Sequence, residues 1–142
     1  MKRVKVFVGI MLFAILLSAC KKTDYGAVID KVISYNHEVC EKYYNDSGNV
    51  EDGKYWATRD NSDFTVWEDN NNYYVLIQKS YEYNDKTYTC ADGYKIGKND
   101  ESVSSSPDDR SSIVSYYEEN ESPVYNEKNV SVDSKSIESD MR

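Results

Sequence analysis

Apolar residues change their spacing once along this chain, and that switch bounds the folds open to it. Over residues 25–44, Tyr25, Val28, Ile29, Val32, Ile33, Val39, Cys40 and Tyr43 recur at intervals of three and four, which places them on one stripe of a helix. Asn36 interrupts the stripe. Thr23 or Asp24 can cap its start by accepting orphan amide hydrogens, and Asn45-Asp46-Ser47-Gly48-Asn49 supplies turn chemistry at its end. Over residues 54–96 the period becomes two, among aromatic and β-branched residues that suit a pleated, half-buried surface. A weak first strand is expected over residues 54–58 and a stronger pair over 63–68 and 73–81, joined by Asp69-Asn70-Asn71-Asn72. Asn84-Asp85-Lys86 then turns the chain into residues 87–90, and Asp92-Gly93 offers a last reversal before Tyr94-Lys95-Ile96. The expected fold class is α+β, one helix packed on a small twisted antiparallel meander over residues 24–97.

After Gly97 the composition shifts. Residues 102–106 hold four serines, and from Asn99 onward 11 acidic residues stand against 4 basic ones. With no sustained apolar period and little to offset chain entropy, residues 98–142 are expected to form a disordered acidic tail. Ile113 to Tyr117 is the one stretch there with a hint of a strand or helical turn.

Ahead of the helix, Lys2, Arg3 and Lys5 precede an uncharged apolar run over residues 6–17 that is too short for a spanning helix. It ends in Leu17-Ser18-Ala19-Cys20, which resembles the lipobox of bacterial lipoproteins, a branched residue and small residues before a modified cysteine. That resemblance implies a signal peptide over residues 1–19, a diacylglycerol on the Cys20 thiol, and Cys20 as the first residue of the mature chain. Residues 20–23 then serve as lipid attachment and short linker. Two acyl chains anchor a protein stably where one alone is marginal. Localisation is expected at the cell membrane, outside the cytoplasm; Lys21 is no retention residue of the aspartate kind, so in a double-membraned host the outer membrane is open to it.

The formal net charge is -8, and loss of Lys2, Arg3 and Lys5 takes the mature chain to about -11. Nucleic acid is therefore an unexpected partner, and residence at an anionic bilayer must come from the lipid. The covalent lipid is the only non-protein group expected, with no other cofactor and no metal.

Residues that carry chemistry are sparse. His37 is the single histidine; with no serine or cysteine arrangement around it, an exposed helical position is expected rather than catalysis, and zinc lacks ligands. Residues 46–53 and 69–80 fail the EF-hand pattern, with Gly48, Tyr73, Tyr74 and Ser80 where ligands or the turn glycine belong. Neighbouring carboxylates such as Glu51-Asp52 and Glu118-Glu119 read as charged surface. No enzymatic activity is expected. Cys40 and Cys90, both outside the cytoplasm, form a candidate disulfide closing a loop of about 50 residues, nominally about 3 to 4 kcal/mol in the chain-entropy model; two free buried thiols are the alternative. Aromatic residues are plentiful, 14 of them Tyr. On alternating strands some must face away from the helix, which makes Trp56, Trp67, Tyr73 and Tyr74 the candidate partner-binding residues.

Together with the lipobox, Tyr25-Gly26 and Ile29-Asp30-Lys31-Val32-Ile33 opening the helix, then Phe64-Thr65-Val66-Trp67 and Tyr73-Tyr74-Val75-Leu76-Ile77 as a hairpin, resemble the cystatin-like-fold lipoproteins of low-GC Gram-positive bacteria. The resemblance covers about residues 20–97; the two further cysteines and the acidic tail depart from it. Some members of that group are carried by conjugative elements and hinder redundant DNA transfer by contacting the conjugation machinery. The resemblance thus implies binding to another envelope protein, without catalysis. Two rivals are a small-ligand or solute-binding lipoprotein with a tyrosine-lined pocket, and an envelope enzyme inhibitor.

Overall fold

A computed structural model of the protein describes residues 22–47, 56–132 and 135–141. Cys20 and the leader lie outside the described residues.

Helix α1 spans Tyr25–Ser47, against an expected 25–44. Asp24 is its cap: the Asp24 carboxylate accepts from the Ala27 amide at 3.2 Å. The first half of the stripe lands on the sheet, with Ile29 and Val32 fully buried, whereas Val39 and Tyr43, expected on the same stripe, are exposed because the helix runs on past the sheet-facing core. Three long strands follow, β1 (Ser62–Glu68), β2 (Asn72–Tyr83) and β3 (Lys86–Gly97). The β1–β2 turn is built by Asp69, whose Oδ1 accepts from the amides of Asn71 and Asn72, both at 2.7 Å. Asn84 and Asp85 make the two-residue β2–β3 turn with φ of 49° and 59°, the left-handed pair that a tight hairpin demands and that these residue types tolerate.

Three expectations fail. Trp56, Ala57 and Thr58 form no strand; this stretch is held by side chains, Asn61 Nδ2 donating to the Trp56 carbonyl at 2.9 Å, and residues 54–55 lie outside the described residues. Nor does the chain reverse at Asp92-Gly93. Strand β3 runs straight through, Gly93 pairing with Leu76, because Gly93 answers a packing need: a Cβ there would sit 2.4 Å from Met141 Cε and 2.8 Å from Ile113 Cδ1.

The third correction is the largest. Residues expected to be a disordered tail form β4 (Val103–Ser104), α2 (Pro107–Glu118), β5 (Tyr125–Glu127) and α3 (Lys135–Met141). Strand β4 pairs with β3 and β5 with β1, giving an antiparallel sheet of order β4-β3-β2-β1-β5. Helix α2 starts with a capping box, in which the Ser106 hydroxyl accepts from the Asp109 amide and the Asp109 carboxylate accepts from the Ser106 amide, with Pro107 in the first turn. Composition hid this because few apolar residues are used, and each is well placed: Ile113, Val114, Ile137 and Met141 are all buried.

The architecture is therefore α+β in three layers. On one face of the sheet, α1 covers Phe64, Val66, Val75, Ile77, Tyr94 and Ile96. On the other, α2 and α3 cover Trp67, Tyr74, Leu76 and Ala91. Both faces of β1 and β2 are buried in places, which is why Val66 and Trp67, neighbours in sequence, are both inside.

Candidate functional site

The candidate partner-binding residues do not come together as an exposed patch. Trp67 and Tyr74 are only 5% and 9% exposed, packed under α2; the Trp67 Nε1 donates to the Glu121 carbonyl at 2.9 Å, and the Tyr74 hydroxyl donates to Asp69 at 2.9 Å. Burial and the Asp69 carboxylate push the Tyr74 hydroxyl up to about 12. These two residues are core, a correction that follows from the order in the carboxyl-terminal third. Tyr73 faces α1, edge-on to Tyr25 at 6.2 Å with Lys98 Nζ over its ring at 4.8 Å. Trp56 is half-buried and leans on His37, ring centroids 4.9 Å apart. His37 also meets the Ala57 carbonyl at 2.6 Å through Nε2, so it is a half-buried bracing residue instead of an exposed one.

Cys40 and Cys90, by contrast, do converge. Strand register sets Cys90 opposite Lys79, and Asn36 on α1 reaches Asp92, two residues along β3 on the same face. One helical turn beyond Asn36, about 6 Å, brings Cys40 level with Cys90, about 6.6 Å back along the strand. The two are separate, half-buried thiols in this structure. Burial pushes both up, Cys90 to about 11, against the opposing pull of the Lys79 ammonium.

Beside them lies a polar cluster that sequence reasoning missed. Lys79 is buried and pairs with Asp92 at 2.7 Å. Burial alone would lower the Lys79 ammonium; Asp92 overrides it and holds the group above its ordinary value. Asn36, fully buried, donates to the Tyr94 hydroxyl at 2.7 Å and accepts the Ala57 amide at 2.9 Å. The signal was available. Asn36 sits on the apolar stripe, and Lys79 holds the inward parity of Val75 and Ile77, where a cation demands a partner.

Among the described residues, two concave regions bear on function. One, of about 520 Å³, lies where α1 begins, against Tyr73, Ile96 and Lys98; two of the cations lining it are engaged, Lys31 with Glu101 and Lys98 with Glu68, and Lys22 lies at its edge. The other, of about 450 Å³, lies on the opposite face of the sheet between β1, β5 and the end of α2. Among the described residues no group of three or more His, Cys, Asp or Glu could hold a metal ion, and no helix is long and apolar enough to cross a membrane. Comparison with protein-family models, curated proteins and solved structures finds no match for this chain.

Proposed function

We propose that this protein is a lipid-anchored envelope lipoprotein, tethered through Cys20, that acts by binding a second envelope protein and catalyses no reaction. The observation that carries the reading is Leu17-Ser18-Ala19-Cys20 at the end of a short apolar run, only four residues before the helix begins. With so short a tether, the start of α1 faces the bilayer. The far end of α1, about 34 Å away for 23 residues, and the tip of the β2–β3 hairpin then face outward. Large hydrophobic residues are exposed at that far end: Tyr43 at 68%, Val39 at 44% and Tyr88 at 40%. They replace Trp67 and Tyr74 as the proposed contact.

A helix laid on an antiparallel sheet supports kinship with the cystatin-like lipoproteins, and with it a role in hindering redundant conjugative transfer. Cys40 and Cys90 are read as a pair that a small disulfide such as oxidised glutathione closes by thiol–disulfide exchange, the protein S–S bond forming as that of the oxidant breaks to give two glutathione thiols. Palmitate labelling tests the anchor: the wild-type chain takes label and fractionates with membranes, Cys20→Ala does neither. Equal labelling and fractionation of both would overturn it. Crosslinking in whole cells tests the contact, where Tyr43→Ser and Tyr88→Ser should each reduce partner capture while leaving the fold intact.

A further inference from the structure

On the face of the sheet away from α1, the two short helices cover only part of the surface. Helices α2 and α3 pack mainly on β2 and β3, reaching β1 where Tyr116 stacks on Trp67, and the half built from β1 and β5, with Gln78 of β2, is left as the floor of the 450 Å³ groove. Cross-strand pairing fixes what stands on that floor. Asp63 lies opposite Gln78, and Thr65 lies opposite Asn126, so all four rise from the same face. The end of α2 supplies a wall of Tyr116 and Tyr117, with Trp67 stacked behind Tyr116 at 6.0 Å and only 15° between the rings.

The chemistry of this groove is selective. Among the described residues, hydrogen bonds occupy most of the polar side chains that stabilise turns and caps: Asp69, Asn61 and Asp109 each accept or donate several. Thr65, Gln78, Asn126, Tyr116 and Tyr117 point to the same groove and bond to none of the described residues through their side-chain polar atoms. Their hydroxyls and amides both donate and accept. Charge is nearly balanced, with Asp63 and Glu121 facing Lys128, so neither a phosphate nor a strongly cationic ligand is favoured. The polar floor disfavours an acyl chain. A neutral, polyhydroxylated ligand meets every one of these conditions: its hydroxyls pair with amides and hydroxyls, and its C–H edges, slightly positive, rest on the electron-rich faces of tyrosine rings.

We infer that the groove floored by Thr65, Gln78 and Asn126 and walled by Tyr116 and Tyr117 binds a short stretch of neutral oligosaccharide. This stands independently of the anchor, since nothing in it involves Cys20.

The experiment is titration of the detergent-solubilised full-length chain with chitotetraose and with cellotetraose, followed by tryptophan fluorescence, for which Trp67 lies behind the aromatic wall. An uncharged tetrapeptide of alanine and glycine is the comparator. Saturable binding of at least one saccharide tighter than about 1 mM is expected, with Gln78→Ala and Asn126→Ala each weakening it by about three- to tenfold and the double variant abolishing it. Asn126 is exposed and Gln78 half-buried, so circular dichroism should show both variants folded as wild type. The inference is overturned by absence of saturable binding to either saccharide, by binding unchanged in both variants, or by binding of the peptide in place of the sugars. Palmitate labelling is unaffected by any of these outcomes.

Discussion

Against one face of the sheet α1 lays a periodic apolar stripe, and against the other α2 and α3 bring the buried Ile113, Val114, Ile137 and Met141, with the half-buried Tyr116 and Tyr117, to meet Trp67, Tyr74, Leu76 and Ala91. The first layer is apolar burial with one polar cluster inside it, Asn36, Lys79 and Tyr94 buried and Asp92 at its partly exposed edge. The second is secured by directed polar bonds at its rim. Asp109 pairs with Lys95 at 2.6 Å while capping α2, and Asp140 accepts the Ala91 amide at 2.9 Å; on the opposite face, Glu127 of β5 meets Arg59, which also holds Asp30 of α1. Acidic residues that read as solvated charge in the sequence thus meet cations and amides of the rest of the domain. The difference teaches that a segment poor in apolar residues folds when those few fall on one face and its charges find partners on a sheet already formed.

Removing the second layer is the strongest way to break this comparison. Deletion of residues 99–142 exposes Trp67, Tyr74 and Leu76 together, a loss expected to exceed the few kcal/mol by which small domains are stable, so thermal circular dichroism should show no cooperative transition. If the amino-terminal part melts like the whole, the two layers are independent.

A smaller but still large effect is expected at Asp109. Burial alone would raise its carboxyl; Lys95, Ser106 and Ser104 instead hold it down at about 2. The folded value lies below the unfolded one, so this group's stabilisation, about 2 kcal/mol, is fully present above pH 4 and is lost as pH falls through about 2. Asp109→Asn should cost about 3 kcal/mol in urea unfolding at pH 7 and remove that acid-sensitive component. An unchanged acid limb in the variant would detach Asp109 from the account.

The first layer is sharpened by Asn36→Ala, which leaves the Ala57 amide and the Tyr94 hydroxyl without their partner and should cost about 2 kcal/mol by urea midpoint. At the small end, Gly93→Ala must displace the tips of Met141 and Ile113, and a loss of about 1 kcal/mol is expected. A gain there would mean that α3 sits loosely on β3.

Much of the first layer was legible. Periodicity placed α1, β1 and most of β2, and residue chemistry placed the Asp69 and Asn84-Asp85 turns, because local backbone preference and tertiary burial agree there. At Gly93 they disagree: Asp92-Gly93 reads locally as a turn, whereas the glycine makes room for α3, a reason that exists only once the far end of the chain has arrived. The same holds for Trp67 and Tyr74, which look like an outward aromatic face until α2 covers them. Ser106-Pro107-Asp108-Asp109 was a readable helix start, outweighed by the serine-rich, acidic average around it. The groove was not legible at all, since Gln78 and Asn126, 48 residues apart in sequence, are brought onto one face only by their separate pairings with β1.

Hydrogen exchange of backbone amides is the most direct check on a chain folded on both faces of one sheet. The amides of Ile113 and Val114 should be protected to a degree comparable with Leu76 beneath them. Exchange of every amide from residue 99 onward at the rate of an unstructured peptide would contradict it.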